Sequence, residues 1–344
     1  MMHDFLEEHS LRYPMKNVDC TEINLDFTHT FLPIVYILVF IIGIIGNFWG
    51  LYSVRKNWRK LGNINIFVLN LGVADLLYVF CLPFLVVYYY NKSIWIFGKT
   101  FCMVTRFCFN LNLYGSIGFL TCICIYRYLG IVHTMEVMGR IKTRHSMGIS
   151  VLVWCSVLIQ IIPDMFFEKT PKNSSDSCYD TTADERIRDY LPYSIGWSIT
   201  GFGVPLFVIL WCYGHVAVVL ATRANVDALL KQRCLKLVII LIILFSVCFI
   251  PYHVLRNLNL VTRIFKQDGT CHETYKDIYV AHQVSRGLAS MNSAINSLIY
   301  LLGNDDFLLR FHGFSTRARM SLSRMAGVVI YKKPQESDSI DAAA

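Results

Sequence analysis

Seven segments of this sequence, each about 20 residues or longer, carry at most one charged side chain. A helix needs about 20 mostly apolar residues to cross the hydrocarbon of a bilayer. A charge inside that layer costs at least ~2.5 kcal/mol, and only Asp75 and Arg286 break the pattern. We therefore predict seven transmembrane helices, named spans one to seven, at 31–54, 61–91, 107–126, 146–163, 190–222, 237–255 and 278–304.

The composition also indicates a chain that lies mostly in lipid. Hydrophobic residues make up 55% and charged residues 16% of the 344 residues, against about 45–50% and about 25% in soluble domains. This excludes a disordered or coiled-coil chain and argues against a water-soluble enzyme. The expected fold is an all-α membrane protein, with an extracellular tail (1–30), a seven-helix bundle (31–302), and a short cytoplasmic amphipathic helix and tail (303–344).

Lysine and arginine residues are shared unevenly between the two sides of the bundle. The loops after spans one, three and five and the C-terminal tail hold 18 of the 32 basic residues. Because basic loops stay in the cytoplasm, we expect the N-terminus outside the plasma membrane and the C-terminus inside. The net charge of +8 then reflects topology and not nucleic-acid binding. The outer side holds two glycosylation sequons, at Asn91 and Asn173, and four cysteines that can pair: Cys20, Cys102, Cys178 and Cys271.

Three classes of membrane protein use a seven-helix bundle: receptors, transporters or light-driven pumps, and intramembrane enzymes. A retinal pump needs a lysine in span seven, where the sequence has none, and no internal repeat of the transporter kind is evident. The sequence contains neither an HExxH motif nor a pair of acids within the spans. Catalysis is therefore not expected, and a receptor is favoured over a transporter with an anion site.

Polar and aromatic residues inside the spans follow a known order. They are Gly46-Asn47 in span one, residues 71–75 in span two, Cys102 and residues 126–128 at the ends of span three, Trp154 in span four, Pro205 and Tyr213 in span five, residues 245–251 in span six, and Asn292 with residues 296–300 in span seven. This ordered set resembles the rhodopsin family (class A) of G-protein-coupled receptors, over about residues 20–315.

Four further segments narrow the resemblance. Residues 109–116, 178–182, 251–254 and 283–290 resemble the metabotropic purinergic nucleotide receptors, especially the branch that responds to ADP or ATP and couples through Gq. The resemblance implies an extracellular nucleotide as ligand and a heterotrimeric G protein as partner, with phospholipase C and calcium release downstream. The serines and threonines of the cytoplasmic tail make arrestin and receptor kinases candidate partners, although a disordered tail contains such residues as well.

Three arginines carry the hypothesis for the ligand site. Arg286 lies inside span seven with no acid near it in that span, and Arg106 and Arg256 lie at the outer ends of spans three and six. Guanidinium groups that face one vestibule repel each other unless an anion lies between them. They also bind phosphate through two donors at once. We therefore expect these arginines to bind a di- or triphosphate.

Polar stripes on the same helices extend this site. Residues three or four apart share a helix face, so polar side chains at that spacing lie on the same face as each arginine. Nearby aromatic side chains can stack on a base. In the resembling family, matching positions line the nucleotide site and the position of Asn259 contacts adenine. The candidate ligand-binding set is Tyr88, Tyr89, Arg106, Asn110, Tyr114, Thr181, His253, Arg256, Asn259, Arg263, Tyr279, His282, Gln283, Arg286 and Ser290.

Alternative roles for these residues stay open. Arg106, Arg256 and Arg263 are compatible with membrane-edge arginines that reach lipid headgroups, and tyrosines 88–90 with an interfacial aromatic belt. A dicarboxylate metabolite would satisfy the same cations, and a ligand-independent receptor is a third alternative. An amine ligand is disfavoured, because residues 103–125 contain no acid.

The resemblance further implies two disulfides, Cys102–Cys178 and Cys20–Cys271, although four cysteines on their own allow three pairings. It also implies a sodium ion beside Asp75, the one acid deep in the membrane. The sodium site would comprise Asp75, Ser116, Asn292, Ser293 and Asn296. A protonated Asp75 in a hydrogen-bond network is the alternative, and no other cofactor is expected.

The inner ends of the spans are expected to form the switch that contacts the G protein. The resemblance implies that Arg127 faces the G protein once span six swings outward about Pro251. Two departures bear on basal activity: Tyr126 stands where many relatives carry an acid, and Ser297 replaces a proline, which should lessen the kink in span seven. The switch residues are Tyr126, Arg127, Phe249, Pro251 and Tyr300.

Overall fold

Helices longer than the apolar segments make up most of the structure. The computed structural model describes residues 26–56, 62–132, 141–170, 177–178, 181–222, 241–270 and 272–302. Cys20, Cys271, Asn173 and the amphipathic helix expected after residue 302 lie outside the described residues. The chain divides into a unit Met1–Tyr300, which holds the spans, and a unit Leu301–Ala344, of which Leu301 and Leu302 are described.

Spans one to three form the first half of the bundle. Span one is Asp26–Lys56, span two is Ile64–Val79 followed by Leu82–Tyr90, and span three is Lys99–Val132. Span one exceeds its apolar segment at both ends because the backbone hydrogen bonds continue into the polar interface. Asp26 in its first turn and Arg55 and Lys56 in its last turn also complement the helix dipole.

Spans four to seven complete the bundle. Span four is Thr143–Ile161 and continues as a 3-10 turn, Ile162–Phe166. Span five comprises Asp184–Arg186, Ile187–Ser198, Ile199–Gly203 and Val204–Thr222. Span six is described from residue 241 and comprises Leu244–Phe249 and Ile250–Gln267, and span seven is Thr274–Leu302. The all-α, seven-helix fold is confirmed, and the described ranges contain no strand.

Two π turns interrupt spans five and six, each just before a proline. Ile199–Gly203 precedes Pro205, and Leu244–Phe249 precedes Pro251. A proline removes a backbone donor and its ring clashes with the carbonyl one turn earlier, and a π turn accommodates the local surplus of one residue. Span seven, in contrast, is one uninterrupted α-helix through Ser297, as expected where a proline is missing.

Apolar side chains cover the outside of the bundle, and polar side chains are buried inside it. Large apolar residues such as Ile45, Phe207 and Trp211 are exposed on the outside, which suits contact with lipid. Spans one to six are long and apolar enough to cross a membrane, by length and composition, within the part of the chain described. Span seven is less apolar because a stripe of buried polar residues runs along its inner face. This stripe contributes to the candidate site.

Candidate functional site

The three predicted arginines are buried in the bundle. Arg106 is 3% exposed, Arg256 is 1% and Arg286 is 2%. They are therefore not membrane-edge arginines that reach lipid headgroups, because all three side chains are shielded from the surface of the bundle. Each has a different set of protein partners.

Arg106 contacts the loop between spans four and five, called the second outer loop because the predicted topology places it outside the membrane. Its Nη2 donates to the carbonyl oxygen of Cys178 at 2.8 Å, and Cys178 is joined to Cys102 in a disulfide with Cα atoms 5.8 Å apart. This confirms one of the two predicted disulfides. The hydroxyl of Tyr88 accepts from the Cys178 backbone N–H at 3.4 Å. Because Cys102 lies one helical turn before Arg106, the disulfide holds the Cys178 carbonyl within reach of the Arg106 guanidinium.

Arg286 is held by a tyrosine of a neighbouring span. It donates to the hydroxyl of Tyr89, and its guanidinium lies 5.2 Å from the centre of the Tyr89 ring. The ring of Tyr36 in span one lies 6.0 Å from the Tyr89 ring, measured between centres. The Tyr89 ring lies 4.7 Å from the Tyr88 ring, and Tyr88 and Arg106 both contact Cys178. Arg286 and Arg106 therefore share one side of the bundle, between spans one, two, three and seven.

Arg256 occupies the other side, among aromatic rings. The rings of Trp197, Tyr190 and Tyr252 lie 5.4, 5.7 and 5.9 Å from its guanidinium. Its Nη2 donates to the hydroxyl of Tyr190 at 2.5 Å and its Nη1 to that of Tyr114 at 3.5 Å. Aromatic faces stabilise a cation, which explains how it is tolerated here.

Several polar atoms near the arginines lack hydrogen-bond partners within the described ranges. They are Nε of Arg106, Nε of Arg256, both ring nitrogens of His253 and Oε1 of Gln283. His253 stacks on Phe202 at 4.4 Å between ring centres, a contact that leaves both nitrogens unsatisfied. An unpaired buried polar atom costs about 1–3 kcal/mol. These atoms are therefore the ones that a polar ligand would satisfy.

Two of the expected ligand residues are engaged with each other. Arg263 donates from Nη1 to the hydroxyl of Thr181 at 3.0 Å and from Nε to Asp184 at 3.0 Å. These bonds join the outer end of span six to the second outer loop and to the start of span five. Arg263 and Thr181 are therefore hydrogen-bonded to protein groups in this structure.

The remaining predicted residues line the inside of the bundle. Asn259 is 4% exposed, His282 is buried beside the Tyr252 ring at 6.1 Å, and Tyr279 is half-buried nearer the outer end. The hydroxyls of Ser290 and Tyr78 lie 2.7 Å apart. Ser290 is therefore already hydrogen-bonded, which makes it a weaker ligand candidate.

Sequence reasoning missed Asp164, Lys169 and Tyr190, which lie beside the site. Asp164 is buried after span four, where its Oδ2 accepts from Asn110 at 3.1 Å and its Oδ1 pairs with Lys169 at 2.8 Å. The hydroxyl of Tyr190 also donates to Asp164 at 2.8 Å. The signal in the sequence that could have identified Tyr190 is the aromatic stripe that it forms with Tyr193 and Trp197, at spacings of three and four residues.

The predicted sodium residues meet in one polar cluster. Oδ1 of Asp75 accepts from Asn112 at 2.8 Å, from Asn296 at 3.1 Å and from Ser116 at 3.4 Å, while its Oδ2 has no hydrogen-bond partner in the described chain. The Ser293 hydroxyl donates to Oδ1 of Asn112 at 3.0 Å, and Nδ2 of Asn292 donates to the same oxygen at 3.4 Å. Carboxylate, hydroxyl and amide oxygens suit a hard cation, so these residues fit sodium. Asn112 was missed because nothing in the sequence relates it to Asp75.

The inner end of span three is held by contacts other than an acid–arginine pair. Arg127 is half-buried and has no carboxylate within 4.0 Å in the ranges described. The ring of Tyr126 packs edge-on against Phe67 with centres 6.4 Å apart. The hydroxyl of Tyr128 lies 3.0 Å from Nδ1 of His215 in span five. This bond joins spans three and five beside Arg127.

Phe249 lies where a packing pivot was expected, just before Pro251. It is fully buried and contacts Phe245 edge-on at 5.1 Å. Phe245 in turn stacks on Phe202 at 6.2 Å, and Phe202 stacks on His253. A continuous row of rings therefore joins the candidate ligand site to the π turn of span six. Tyr300 lies in the helix of span seven.

Comparison with known proteins agrees with this geometry. Residues 46–300 match the family model described as 7 transmembrane receptor (rhodopsin family). The chain is 40% identical over 321 residues to purinoceptor 1 of Homo sapiens, which covers 92% of this chain and 84% of that protein. The figures for purinoceptor 1 of Rattus norvegicus are 39% over 319 residues, with the same coverage.

A further relative is purinoceptor 4 of Xenopus laevis. It is 35% identical over 291 residues, which are 83% of this chain and 53% of that protein. These relatives are receptors and not enzymes, and the chain is a multi-pass plasma-membrane protein. The chain belongs to the rhodopsin family of seven-transmembrane receptors and, within it, to the purinergic receptors.

Proposed function

We propose that this receptor responds to an extracellular adenine nucleotide, ADP or ATP, and signals through Gq, phospholipase C and calcium release. The observation that carries the proposal is the burial of Arg106, Arg256 and Arg286 at 1–3% exposure inside the outer half of the bundle. Buried cations favour an anionic ligand, and guanidinium groups suit phosphate. The names of the purinoceptor relatives support the same ligand class.

The two sides of the bundle suggest how a nucleotide would bind. Arg106 and Arg286 on one side and Arg256 on the other would each donate to phosphate oxygens. The unsatisfied atoms of His253 and Gln283 would add polar contacts. The sequence resemblance assigns the base to the vicinity of Asn259. A ligand spanning both sides would stabilise a particular arrangement of spans three, six and seven.

Ligand binding would then bias the switch at the inner end. The rings from His253 through Phe202 and Phe245 to Phe249 link ligand contacts to the π turn before Pro251. Span six would swing outward there and uncover Arg127 for the G protein. A shift of a few kcal/mol between two states suffices. A sodium ion beside Asp75 would favour the inactive state.

The proposed orientation puts the N-terminus and the Cys102–Cys178 disulfide outside and the C-terminus inside. The positive loops and the oxidised disulfide support it. Arrestin and receptor kinases are proposed to act on the cytoplasmic tail. An N-terminal and a C-terminal epitope tag, stained on intact and on permeabilised cells, would test the orientation.

A calcium-flux assay with ADP, ATP, UTP and succinate tests the ligand and the coupling. In cells without their own nucleotide receptors, we expect ADP and ATP to evoke calcium release that a Gq inhibitor blocks. A response to succinate and to no nucleotide would overturn the ligand assignment in favour of a dicarboxylate. High calcium signalling without any agonist would favour a ligand-independent receptor.

Arg286→Ala provides the residue-level test of the same proposal. It should abolish the agonist response and leave surface expression intact, because it removes one of the phosphate cations. The matched control is Arg188→Ala, since Arg188 is an exposed arginine at the same end of the bundle that pairs with Asp268. Loss of surface expression in Arg286→Ala would mean that this residue is structural.

A further inference from the structure

Asp164 is a buried carboxylate outside the candidate ligand set. It lies in the 3-10 turn after span four and is 2% exposed. Its Oδ1 accepts from the Lys169 ammonium and from the Tyr190 hydroxyl, each at 2.8 Å, and its Oδ2 accepts from Nδ2 of Asn110 at 3.1 Å. One carboxylate therefore joins spans three, four and five and the second outer loop.

The hydroxyl of Tyr190 has a fixed direction in this network. The guanidinium of Arg256, 2.5 Å away, has only donors, so the hydroxyl oxygen must accept there. The carboxylate of Asp164, in its ion pair with Lys169, has only acceptors, so the hydroxyl proton points towards it. By accepting this proton, Asp164 determines which lone pair of the Tyr190 oxygen faces Arg256. The direction of that lone pair determines where Nη2 of Arg256 is held.

Lys169 joins this carboxylate to the backbone of the second outer loop. Its ammonium donates to the carbonyl oxygen of Thr181 as well as to Asp164. The ion pair is shielded from solvent, with side chains 2% and 3% exposed. Removing one charge alone would leave the other buried without compensation. The two charges must therefore be removed together in a test.

We propose that Asp164, Lys169 and Tyr190 form a positioning relay for Arg256. The relay holds Nη2 in place and leaves Nε, which has no hydrogen-bond partner within the described chain, free to donate to an anionic group of the ligand. None of the three residues has to touch the ligand. The inference rests on the proposed nucleotide function and extends it to residues that act through Arg256.

A double-mutant cycle on binding of radiolabelled ADP to membranes tests the relay. Tyr190→Phe removes the hydroxyl and keeps the ring that packs against Arg256. The pair Asp164→Leu with Lys169→Met removes the acceptor for the Tyr190 hydroxyl proton without leaving a lone buried charge. Each change should weaken ADP binding about tenfold, as for one hydrogen bond to a charged group. Because the residues act in series, the combined variant should also lose about tenfold.

Tyr193→Phe is the matched control. Its hydroxyl donates to the Gln160 carbonyl at 2.6 Å and not to Arg256 or the Asp164 carboxylate, although it lies on the same helix. ADP affinity should change less than threefold in this control. Surface expression and thermal stability of every variant are measured in parallel. If the charge-pair variant folds poorly, Tyr190→Phe still tests the relay, because it alters no charge.

The outcomes separate the relay from the proposed function. Losses that multiply to about a hundredfold in the combined variant would mean independent structural effects and would overturn the relay. Unchanged ADP affinity in Tyr190→Phe would overturn it as well. Failure of the wild-type receptor to bind ADP would instead overturn the proposed function and the relay with it.

Discussion

Replacing Arg256 by methionine separates ligand binding from stability of the empty receptor. Methionine is unbranched, reaches about as far as Nε of arginine and can still pack among Tyr190, Trp197 and Tyr252, but it carries no charge and no donor. In the structure Arg256 is 1% exposed and has no carboxylate within 4.0 Å among the residues described. Its charge is therefore offset by hydrogen bonds, by aromatic faces and, through the Tyr190 hydroxyl, by the Asp164 carboxylate.

The expected magnitudes follow from these contacts. Two charge-assisted hydrogen bonds to phosphate are worth about 1.5–3 kcal/mol each, so their loss weakens ADP binding by about 10²- to 10⁴-fold. In the empty receptor, Arg256→Met loses three aromatic contacts of about 0.5–2 kcal/mol each and the hydrogen bonds to Tyr190 and Tyr114. It also removes a desolvation penalty of several kcal/mol. These two terms oppose each other, and thermal stability should change little.

The assay is saturation binding of radiolabelled ADP, combined with thermal unfolding of the purified receptor without ligand. Arg188→Met is the control, because Arg188 is an exposed arginine in an ion pair with Asp268, and it should bind ADP like the wild type. ADP affinity within threefold of wild type in Arg256→Met would refute the reasoning. A large loss of stability with normal binding would show that Arg256 serves the fold.

Three further predictions concern other parts of the bundle. In the wild type, sodium chloride should lower ADP affinity relative to N-methylglucamine chloride, and Asp75→Asn should abolish this difference. A wild type that does not respond to sodium would contradict the sodium site. Tyr128→Phe removes the bond to His215 and should raise agonist-free inositol phosphate production; an unchanged basal level would mean that this bond does not restrain the inactive state. Gly46→Ala should destabilise the receptor by about 1–3 kcal/mol, because the new Cβ would lie 2.3 Å from Oγ of Ser297. Gly46→Ala with Ser297→Gly should recover most of the unfolding temperature, and no recovery would mean that another contact is responsible.

The fold was predictable from the sequence because lipid imposes a simple rule on charges. Uncharged segments gave the seven helices, but not their ends: span three runs to Val132 and span six to Gln267, well beyond the apolar segments. Backbone hydrogen bonding continues into the interface, where charged side chains are tolerated. The π turns before Pro205 and Pro251 were not predicted either, since a proline alone does not fix how a helix bends.

The cations of the site could be predicted from the sequence, but the residues that contact them could not. Burial of Arg106, Arg256 and Arg286 followed from their position on inward stripes. That Arg256 lies against Tyr190 and Trp197 of span five depends on how two helices pack, which local spacing does not encode. Asp164 and Asn112 were missed for the same reason, because their partners are distant in the chain and adjacent only in the bundle.

The most direct test of the central claim is a cryo-EM structure of the receptor with ADP and a G protein. We predict phosphate oxygens within hydrogen-bond distance of Arg106, Arg256 and Arg286, and Arg127 against the G protein. The claim would be contradicted by a nucleotide bound away from all three arginines, or by guanidinium groups that each pair with a protein carboxylate while ADP is bound elsewhere.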